Sequence, residues 1–209
     1  PMLVDDSAAL PGRPNPVLVN PRPHAVLGTP ITGPWKEGQR CLLIGIGCFW
    51  GAEKMFWELE GVEGTSVGYG GGITPNPTYG EVCTGQTNHV ELVEVVYDPD
   101  AVTLKELVRV ALEAHDPTQG FRQGNDVGTQ YRSVFYTDTE EEAEQIRGWI
   151  REYGASLHDA GYGDITTEVA SVERDGVDYY LAEDEHQQYL HKVPNGYCPH
   201  HSTGVACGI

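Results

Sequence analysis

The sequence predicts an α+β fold in which helices cover one face of a mixed sheet, giving a two-layer sandwich. The first observation is the order of the first six predicted elements: strand, helix, strand, strand, helix, strand. This order defines the split βαβ arrangement of a ferredoxin-like plait. The second is that each crossover must return the chain to the sheet with the same hand, which places the helices on one face. The third is the length of 209 residues, which suits one domain with an appendage because typical domains contain ~100 to 200 residues.

The first half of the plait is indicated by its apolar residues. Residues 42–47 form a short, continuous apolar run, which predicts a buried strand. The apolar residues that follow, among them Phe49 and Phe56, are spaced as on one face of a helix and predict a helix over 50–59. Residues 64–69 then predict the second strand.

The second half of the plait begins with "HVELVEVVYD", whose alternation of apolar and polar residues predicts a strand over 90–97. Thr103 and Glu106 form a capping box, which predicts the start of a helix over 104–115. A strand over 131–137 completes the set of six elements.

Further elements follow the plait: an acidic helix over 140–160, a strand over 165–172 and a short acidic helix around 182–192. Two glycine-rich connections, 68–88 and 116–130, remain without a regular pattern. Connections of this length inside a compact domain are usually functional or mobile, so we expect the site to include them.

The two ends of the chain differ from the body. Residues 1–39 hold eight of the fourteen prolines and have almost no periodic pattern, which predicts an extended arm packed on the body, with a disordered tail as the alternative. Residues 40–209 are predicted to form a single catalytic domain, whose last segment, 193–209, is a coil rich in glycine.

Charge and cysteine usage narrow the class of protein. The formal net charge of −18 disfavours nucleic acid and anionic membranes as partners. No apolar stretch reaches the ~18 residues needed to span a bilayer, and the start lacks the pattern of a secretory signal. Five cysteines at irregular spacing do not resemble a disulfide framework. We therefore expect a soluble protein of the cytoplasm whose cysteines are reactive, metal-bound or buried.

The stretch "GCFWG" places Cys48 where a strand turns into a helix. A free thiol has a pKa of roughly 8.5, and the unpaired N–H groups and dipole of a helix N-terminus favour the thiolate. Gly47 permits a sharp turn and Gly51 a close backbone approach. Phe49 and Trp50 point in directions ~100° apart on a helix, so we expect one of them to line an exposed hollow. Cys48 is therefore a candidate nucleophile, and a small buried residue is the alternative.

Four motifs carry a resemblance to a known family: "GCFWG", "VGYGGG", "PTYGEVCTGQTNHVE" and "HDPTQGFRQGNDVGTQYRS". They resemble the peptide methionine-S-sulfoxide reductases of the A class, over about residues 40 to 207. The family's fold is also a split βαβ sandwich. The resemblance implies reduction of methionine-S-sulfoxide, in proteins or as the free amino acid, as repair after oxidative damage.

The resemblance also implies roles for individual side chains. A thiolate that attacks a sulfoxide sulfur pushes electrons onto the oxygen, which must be protonated before it leaves. Glu91 is implied as the proton donor, and the apolar residues beside it are expected to raise its pKa. Tyr79 and Tyr131 are implied to bind the oxygen, with Asp126 supporting them. Substrate contacts are expected from Phe49 and Trp50, which form an apolar wall for the methyl group, and from Tyr189.

The resemblance also implies that the enzyme is returned to its reduced form by cysteines of the tail, residues 193–209. The attack leaves a sulfenic acid, which condenses with a second thiol. By resemblance, Cys198 forms the first disulfide with Cys48, and Cys207 exchanges with Cys198 to leave a disulfide that thioredoxin reduces. We expect the tail to be mobile enough for this, with no bound cofactor and no metal. Cys41 is predicted to lie in the core and Cys83 to be structural.

Two other functions compete with this one. A zinc-binding module could use Cys198, His200, His201 and Cys207, but the sequence has no C-x-x-C pair. A thiol peroxidase or disulfide exchanger also needs a reactive cysteine and a resolving partner, but it has less use for an aromatic wall and a proton-donating carboxyl.

Overall fold

The computed structural model describes residues 1–199 and 201–209. Its main sheet has six strands in the order β7-β6-β1-β3-β2-β8. The central four, β6-β1-β3-β2, pair antiparallel throughout, and the elements between them follow the split βαβ order. β7 pairs parallel with β6, which makes the sheet mixed as predicted. The strands are β1 Arg40–Ile46, β2 Val62–Gly70, β3 Val90–Tyr97, β6 Ser133–Thr137, β7 Glu168–Ser171 and β8 Tyr179–Leu181.

The helices cover one face of this sheet. Residues of α1, α3 and α4 share a single buried cluster with the inward side chains of the central strands. Each of the longer helices after α1 starts at a threonine that caps it: Thr103 accepts from the backbone N–H of Glu106, and Thr139 from that of Glu142. The helices are α1 Phe49–Trp57, α2 Tyr79–Cys83, α3 Leu104–Ala114, α4 Glu140–Asp159, α5 Val172–Asp175 and α6 Tyr189–Lys192.

Side-chain alternation along β3 decides which of its residues face the helices. Val93 and Val95 belong to the helix-side cluster, whereas Leu92 belongs to a smaller cluster on the opposite face. Successive side chains of a strand point to opposite faces, so Glu91 faces the helices together with Val93. The strand thereby places a carboxyl group beneath α1.

Two predicted elements differ most from the structure. The strand expected over 131–137 begins at Ser133, because a 3₁₀ turn, Thr129–Tyr131, precedes it. The helix expected around 182–192 is wrong for most of its length, and only Tyr189–Lys192 is helical. The reason is local: Gln188 has a left-handed backbone, with φ of +48°, and this conformation ends any helix that approaches it.

Some elements were not predicted at all. The helix α2 lies in a connection that shows no apolar period, but it starts with a complete capping box formed by Thr78 and Glu81. A small hairpin pairs β4, Arg122–Gln123, with β5, Asp126–Val127. The two long connections are thus structured, and both contribute to the site described below.

The proline-rich arm is ordered along the body. Backbone bonds join Leu10 N–H to Gln86 O at 2.9 Å and Arg13 N–H to Pro75 O at 3.1 Å. The Arg13 guanidinium also pairs with Glu81 at 2.8 Å. None of the helices in residues 1–199 and 201–209 combines the length and the apolar character that spanning a bilayer requires.

Candidate active site

Cys48 occupies the N-cap position of α1, at the end of β1. Gly47 before it has φ of +99°, and a Cβ there would lie 2.9 Å from the side chain of Gln123. Glycine therefore supplies both the conformation and the room for the turn. The strand-to-helix seam expected from "GCFWG" is present, and it points the thiol at the start of the helix.

The prediction that this position lowers the pKa of Cys48 is wrong. Burial raises the pKa of the thiol well above its ordinary value, and the nearby Glu91 raises it further. The N–H groups of Trp50 and Gly51 act in the opposite direction, as expected at a helix N-terminus. The cost of removing a thiolate from water therefore outweighs the stabilisation that the helix N-terminus offers it, so the thiol is protonated.

Glu91 is buried, with 2% of its surface exposed. Its Oε2 accepts a hydrogen bond of 3.0 Å from the backbone N–H of Phe49, the residue after Cys48. Burial raises the pKa of Glu91 to about 8, Asp126 adds to the rise, and the Phe49 bond partly offsets it. The expected rise is confirmed, and the carboxyl is mostly protonated at neutral pH.

A cavity of about 170 Å³ brings the predicted side chains together. It lies between the start of α1, the start of β3, the helix α2, the small hairpin and the tail. The residues that line it are Cys48, Phe49, Trp50, Tyr79, Glu91, Asp126, Tyr131 and Tyr197. Seven of these eight were predicted from the sequence, and Tyr197 was not.

The two tyrosines expected to bind oxygen are both on the cavity wall. Burial, reinforced by the charge of Glu91, raises the pKa of Tyr79 and of Tyr131. Both hydroxyls therefore remain protonated and can donate hydrogen bonds. Tyr79 is held in place because its backbone N–H donates to Glu183 Oε1 at 2.7 Å, while the Tyr69 hydroxyl donates to Glu183 Oε2 at 2.8 Å.

Asp126 has a different partner from the one expected. Its Oδ1 accepts a 3.0 Å hydrogen bond from the hydroxyl of Tyr197, which joins the hairpin to the tail. Its Oδ2 is buried and has no hydrogen-bond partner within residues 1–199 and 201–209. Tyr197 was missed because it lies in a coil without periodicity, and its only signal was its place beside Cys198.

Aromatic rings back one side of the cavity. Phe49 is buried and Trp50 is half-buried, and both line the cavity. The resemblance implied both residues, whereas helix geometry alone predicted only one. Tyr189 does not line the cavity itself. Its ring stacks on Trp50 with centroids 4.0 Å apart, and the Trp50 indole N–H donates to His186 Nδ1 at 3.0 Å. Tyr189 therefore supports the wall from behind.

The two tail cysteines lie in different surroundings. A Cβ on Gly51 would come 3.1 Å from Cys198 Sγ, which places this sulfur against the first turn of the helix that Cys48 caps. Cys207 is buried, with 4% exposed, and its N–H donates to Glu113 Oε1 at 2.8 Å. The Tyr153 hydroxyl also donates to Val205 O at 3.0 Å. The expectation of a loose tail does not hold for this last segment.

The remaining cysteines take no part in the cavity. Cys41 lies half-buried on β1, and Cys83, at the end of α2, is exposed. Among the described residues, no group of three or more His, Cys, Asp and Glu side chains could hold a metal ion. One member of the alternative zinc set, His200, lies outside the described residues.

Comparison with known proteins gives the family. The family model for peptide methionine sulfoxide reductase matches residues 40–206. A peptide methionine sulfoxide reductase MsrA from Corynebacterium efficiens is 65% identical over 209 residues, which are 100% of this chain and 95% of the relative.

Solved structures agree with this match. Methionine sulfoxide reductase A of Corynebacterium diphtheriae has a TM-score of 0.90 and 61% identity, covering 100% of this chain and 99% of that chain. Mxr1 from Saccharomyces cerevisiae in complex with Trx2 has a TM-score of 0.52 and 20% identity, covering 82% of this chain and 95% of that chain. The second likeness shows the fold alone.

The protein is therefore an oxidoreductase with a split βαβ fold. The family match extends over most of the chain, and the high-identity relatives are covered almost from end to end. The chain belongs to the peptide methionine sulfoxide reductase family, and its activity is the reduction of methionine sulfoxide.

Proposed function

We propose that Cys48 reduces methionine-S-sulfoxide by taking its oxygen, with Glu91 as the acid. The observation that carries this proposal is the pairing of a buried, protonated carboxyl with the helix start: Glu91 accepts from Phe49 N–H at 3.0 Å and shares a cavity with Cys48. A sulfoxide oxygen becomes a poor leaving group unless it is protonated. A neutral carboxyl in a small cavity meets this need directly.

The chemical step conserves protons and electrons. Cys48 Sγ attacks the sulfoxide sulfur while the carboxyl of Glu91 gives its proton to the oxygen. The hydroxyl then moves to Cys48, so that the Sγ–O bond forms as the S–O bond to methionine breaks. The proton of the thiol passes to the carboxylate that Glu91 has become, so Glu91 ends the step as it began. Methionine sulfur is reduced by two electrons, and Cys48 becomes a sulfenic acid. Because of this transfer Cys48 does not have to be a thiolate before the attack, and burial disfavours the thiolate.

The cavity wall supports a choice between epimers. Tyr79 and Tyr131 carry donors for the oxygen, whereas Phe49 and Trp50 offer apolar surface for the methyl group. When these two groups are fixed on different sides, only one epimer presents its sulfur lone pair correctly to Cys48. By the family resemblance this is the S epimer, in oxidised proteins and as the free amino acid.

Recycling then proceeds through the tail. The thiol of Cys198 condenses with the sulfenic acid of Cys48, which releases water and forms a disulfide. The position of Cys198 against the first turn of α1 supports this pairing. Cys207 then attacks Cys198, which releases the thiol of Cys48 and leaves a disulfide between Cys198 and Cys207. A thioredoxin dithiol supplies the two electrons that reduce this final disulfide. Because Cys207 is buried and tied to Glu113, its segment must leave the core before it can react.

Thioredoxin is the external reductant in this scheme, and no bound cofactor is needed. The solved complex of Mxr1 with Trx2 is support from a distant relative. A relay that begins and ends with thiols requires a reducing compartment, so we place the reaction in the cytoplasm.

The proposal is tested by turnover of each methionine sulfoxide epimer with thioredoxin. We expect the S epimer to be reduced, the R epimer to be left, and hydrogen peroxide to be a poor substrate. Cys48→Ser should retain less than about a tenth of the wild-type rate, because the hydroxyl is a far weaker nucleophile. Equal use of both epimers, or activity that survives in Cys48→Ser, would reject the assignment.

A further inference from the structure

Helix α1 carries a second buried carboxyl that the reaction does not use. Glu53 lies one turn after Trp50, has 0% of its surface exposed and does not line the cavity. Its oxygens accept three hydrogen bonds: one from the Thr65 hydroxyl at 2.9 Å, one from Gln188 Nε2 at 2.8 Å and one from Gln188 N–H at 2.9 Å. Burying a charge is costly unless such donors surround it, so this carboxyl is specifically accommodated.

The hydrogen bonds continue from Glu53 into the proline-rich arm. His24 is buried, and its Nδ1 accepts from the N–H groups of Val26 and Leu27. Its proton therefore sits on Nε2, which donates to the Thr65 hydroxyl at 2.8 Å. Thr65 in turn donates to Glu53, so every proton in the chain has a fixed direction. The arm, the sheet and α1 are joined through this one line of donors.

Gln188, which lies 135 residues after Glu53 in the sequence, contacts the same carboxyl group. Its backbone has φ of +48° and ψ of 44°, a conformation that is uncommon outside glycine. Its side-chain oxygen accepts from Ala25 N–H at 3.1 Å, while both of its donors go to Glu53. The next residue is Tyr189, whose ring stacks on Trp50 at 4.0 Å. The bonds to Glu53 therefore hold Gln188 in the conformation that sets Tyr189 against Trp50.

We propose that Glu53 is a positioning residue for substrate binding, acting with Gln188 as a clamp that fixes the Trp50–Tyr189 pair. The inference rests on the proposed function, because it takes Trp50 as the surface that meets the methyl group of the substrate. It also gives the arm a role: His24 orients Thr65 toward Glu53 and so supports the wall of a cavity that the arm does not touch.

The test is Glu53→Gln, which keeps the shape but replaces one acceptor oxygen by a donor. The new amide must face either Gln188 or Thr65, both of which already donate. We expect the KM for a peptide carrying methionine-S-sulfoxide to rise by about five- to tenfold with kcat within about twofold, the pattern of lost binding common to ground and transition states. Assays at pH 8 keep Glu53 ionised, since burial raises its pKa to about 7.

A spectroscopic readout separates positioning from a general loss of stability. The four tryptophans are labelled with fluorotryptophan, and the ¹⁹F resonance of Trp50 is assigned by its loss in Trp50→Phe. In Glu53→Gln we expect this resonance to shift or broaden, while those of Trp35 and Trp149 stay in place. The matched control is Glu58→Gln, at the exposed end of the same helix, which should leave KM and all four resonances unchanged.

The outcomes distinguish this inference from the function beneath it. If the wild-type protein does not reduce methionine-S-sulfoxide, the proposed function is refuted. An active wild type together with a Glu53→Gln variant of unchanged KM and unchanged Trp50 resonance overturns the clamp alone. If Glu53→Gln does not fold, Gln188→Asn replaces it: asparagine tolerates the left-handed backbone, but its shorter side chain withdraws one donor from Glu53. The same rise in KM and shift at Trp50 are expected, and their absence overturns the clamp.

Discussion

Glu91 should destabilise the folded protein, and the size of this effect should depend on pH. Its pKa is about 8 in the folded protein against an ordinary value of 4.5. The folded state thus binds a proton that the unfolded state releases, so the stability contributed by this group is present below pH 4.5 and is lost as pH rises toward 8. Glu91→Gln removes the titration while keeping an oxygen that can accept from Phe49 N–H.

Linkage gives the expected gain in free energy of unfolding for this variant. From the two pKa values, Glu91→Gln should be more stable than wild type by about 1 kcal/mol at pH 5.5, by about 3 kcal/mol at pH 7 and by about 5 kcal/mol at pH 8.5. The same variant should reduce sulfoxide more slowly by about 10²- to 10⁴-fold, the usual contribution of a positioned acid. These two results together would mean that the protein keeps the Glu91 carboxyl for catalysis although it lowers the stability of the fold.

The assay is urea unfolding of the reduced proteins at these three pH values, followed by single-turnover reduction of the sulfoxide. The control is Glu60→Gln, at an exposed position after α1, which should change stability by less than about 0.5 kcal/mol at each pH. If the free energies of unfolding of Glu91→Gln and wild type differ by the same amount at all three pH values, the claim that Glu91 is a buried, protonated carboxyl is refuted. An unchanged single-turnover rate would remove Glu91 from the acid role.

The remaining predictions concern the tail. Cys198→Ser should complete one turnover and then stall, because nothing resolves the oxidised Cys48; normal multiple turnover with thioredoxin would contradict the relay. Cys207, which is 4% exposed, should be alkylated far more slowly than the exposed Cys83 in the reduced protein, as mapped by mass spectrometry. Equal labelling rates would show that the last segment is not docked as described. Glu113→Gln should speed the alkylation of Cys207, because the bond from Cys207 N–H to Glu113 becomes weaker without the charge.

The fold was predictable where side-chain period and capping agreed. The strand Val90–Tyr97 has the predicted bounds, because its mainly apolar residues extend over its whole length and both of its faces are buried. The helix Leu104–Ala114 starts where its threonine cap predicted. The helix expected around 182–192 was wrong because Gln188 has a left-handed backbone, with φ of +48°, and the apolar and polar pattern of the sequence does not reveal this conformation.

The site was predictable in its members but not in its electrostatics. Motifs placed Cys48, Glu91 and Tyr131 together, and the cavity contains all three. The direction of the pKa shift of Cys48 could not be read from its helix position, because burial depends on what covers the thiol in three dimensions. Tyr197 was beyond prediction for the same reason: its bond to Asp126 joins residues 71 positions apart and leaves no local pattern.

The central claim is that Cys48 takes the oxygen of the S epimer. It is tested most directly by mixing reduced Cys198→Ser protein with one equivalent of methionine-S-sulfoxide and locating the sulfenic acid by mass spectrometry of its adduct with a sulfenic-acid probe. We predict one methionine per chain and one probe adduct, located on Cys48. Methionine formed without an adduct on Cys48, or the same yield from the R epimer, would contradict the account.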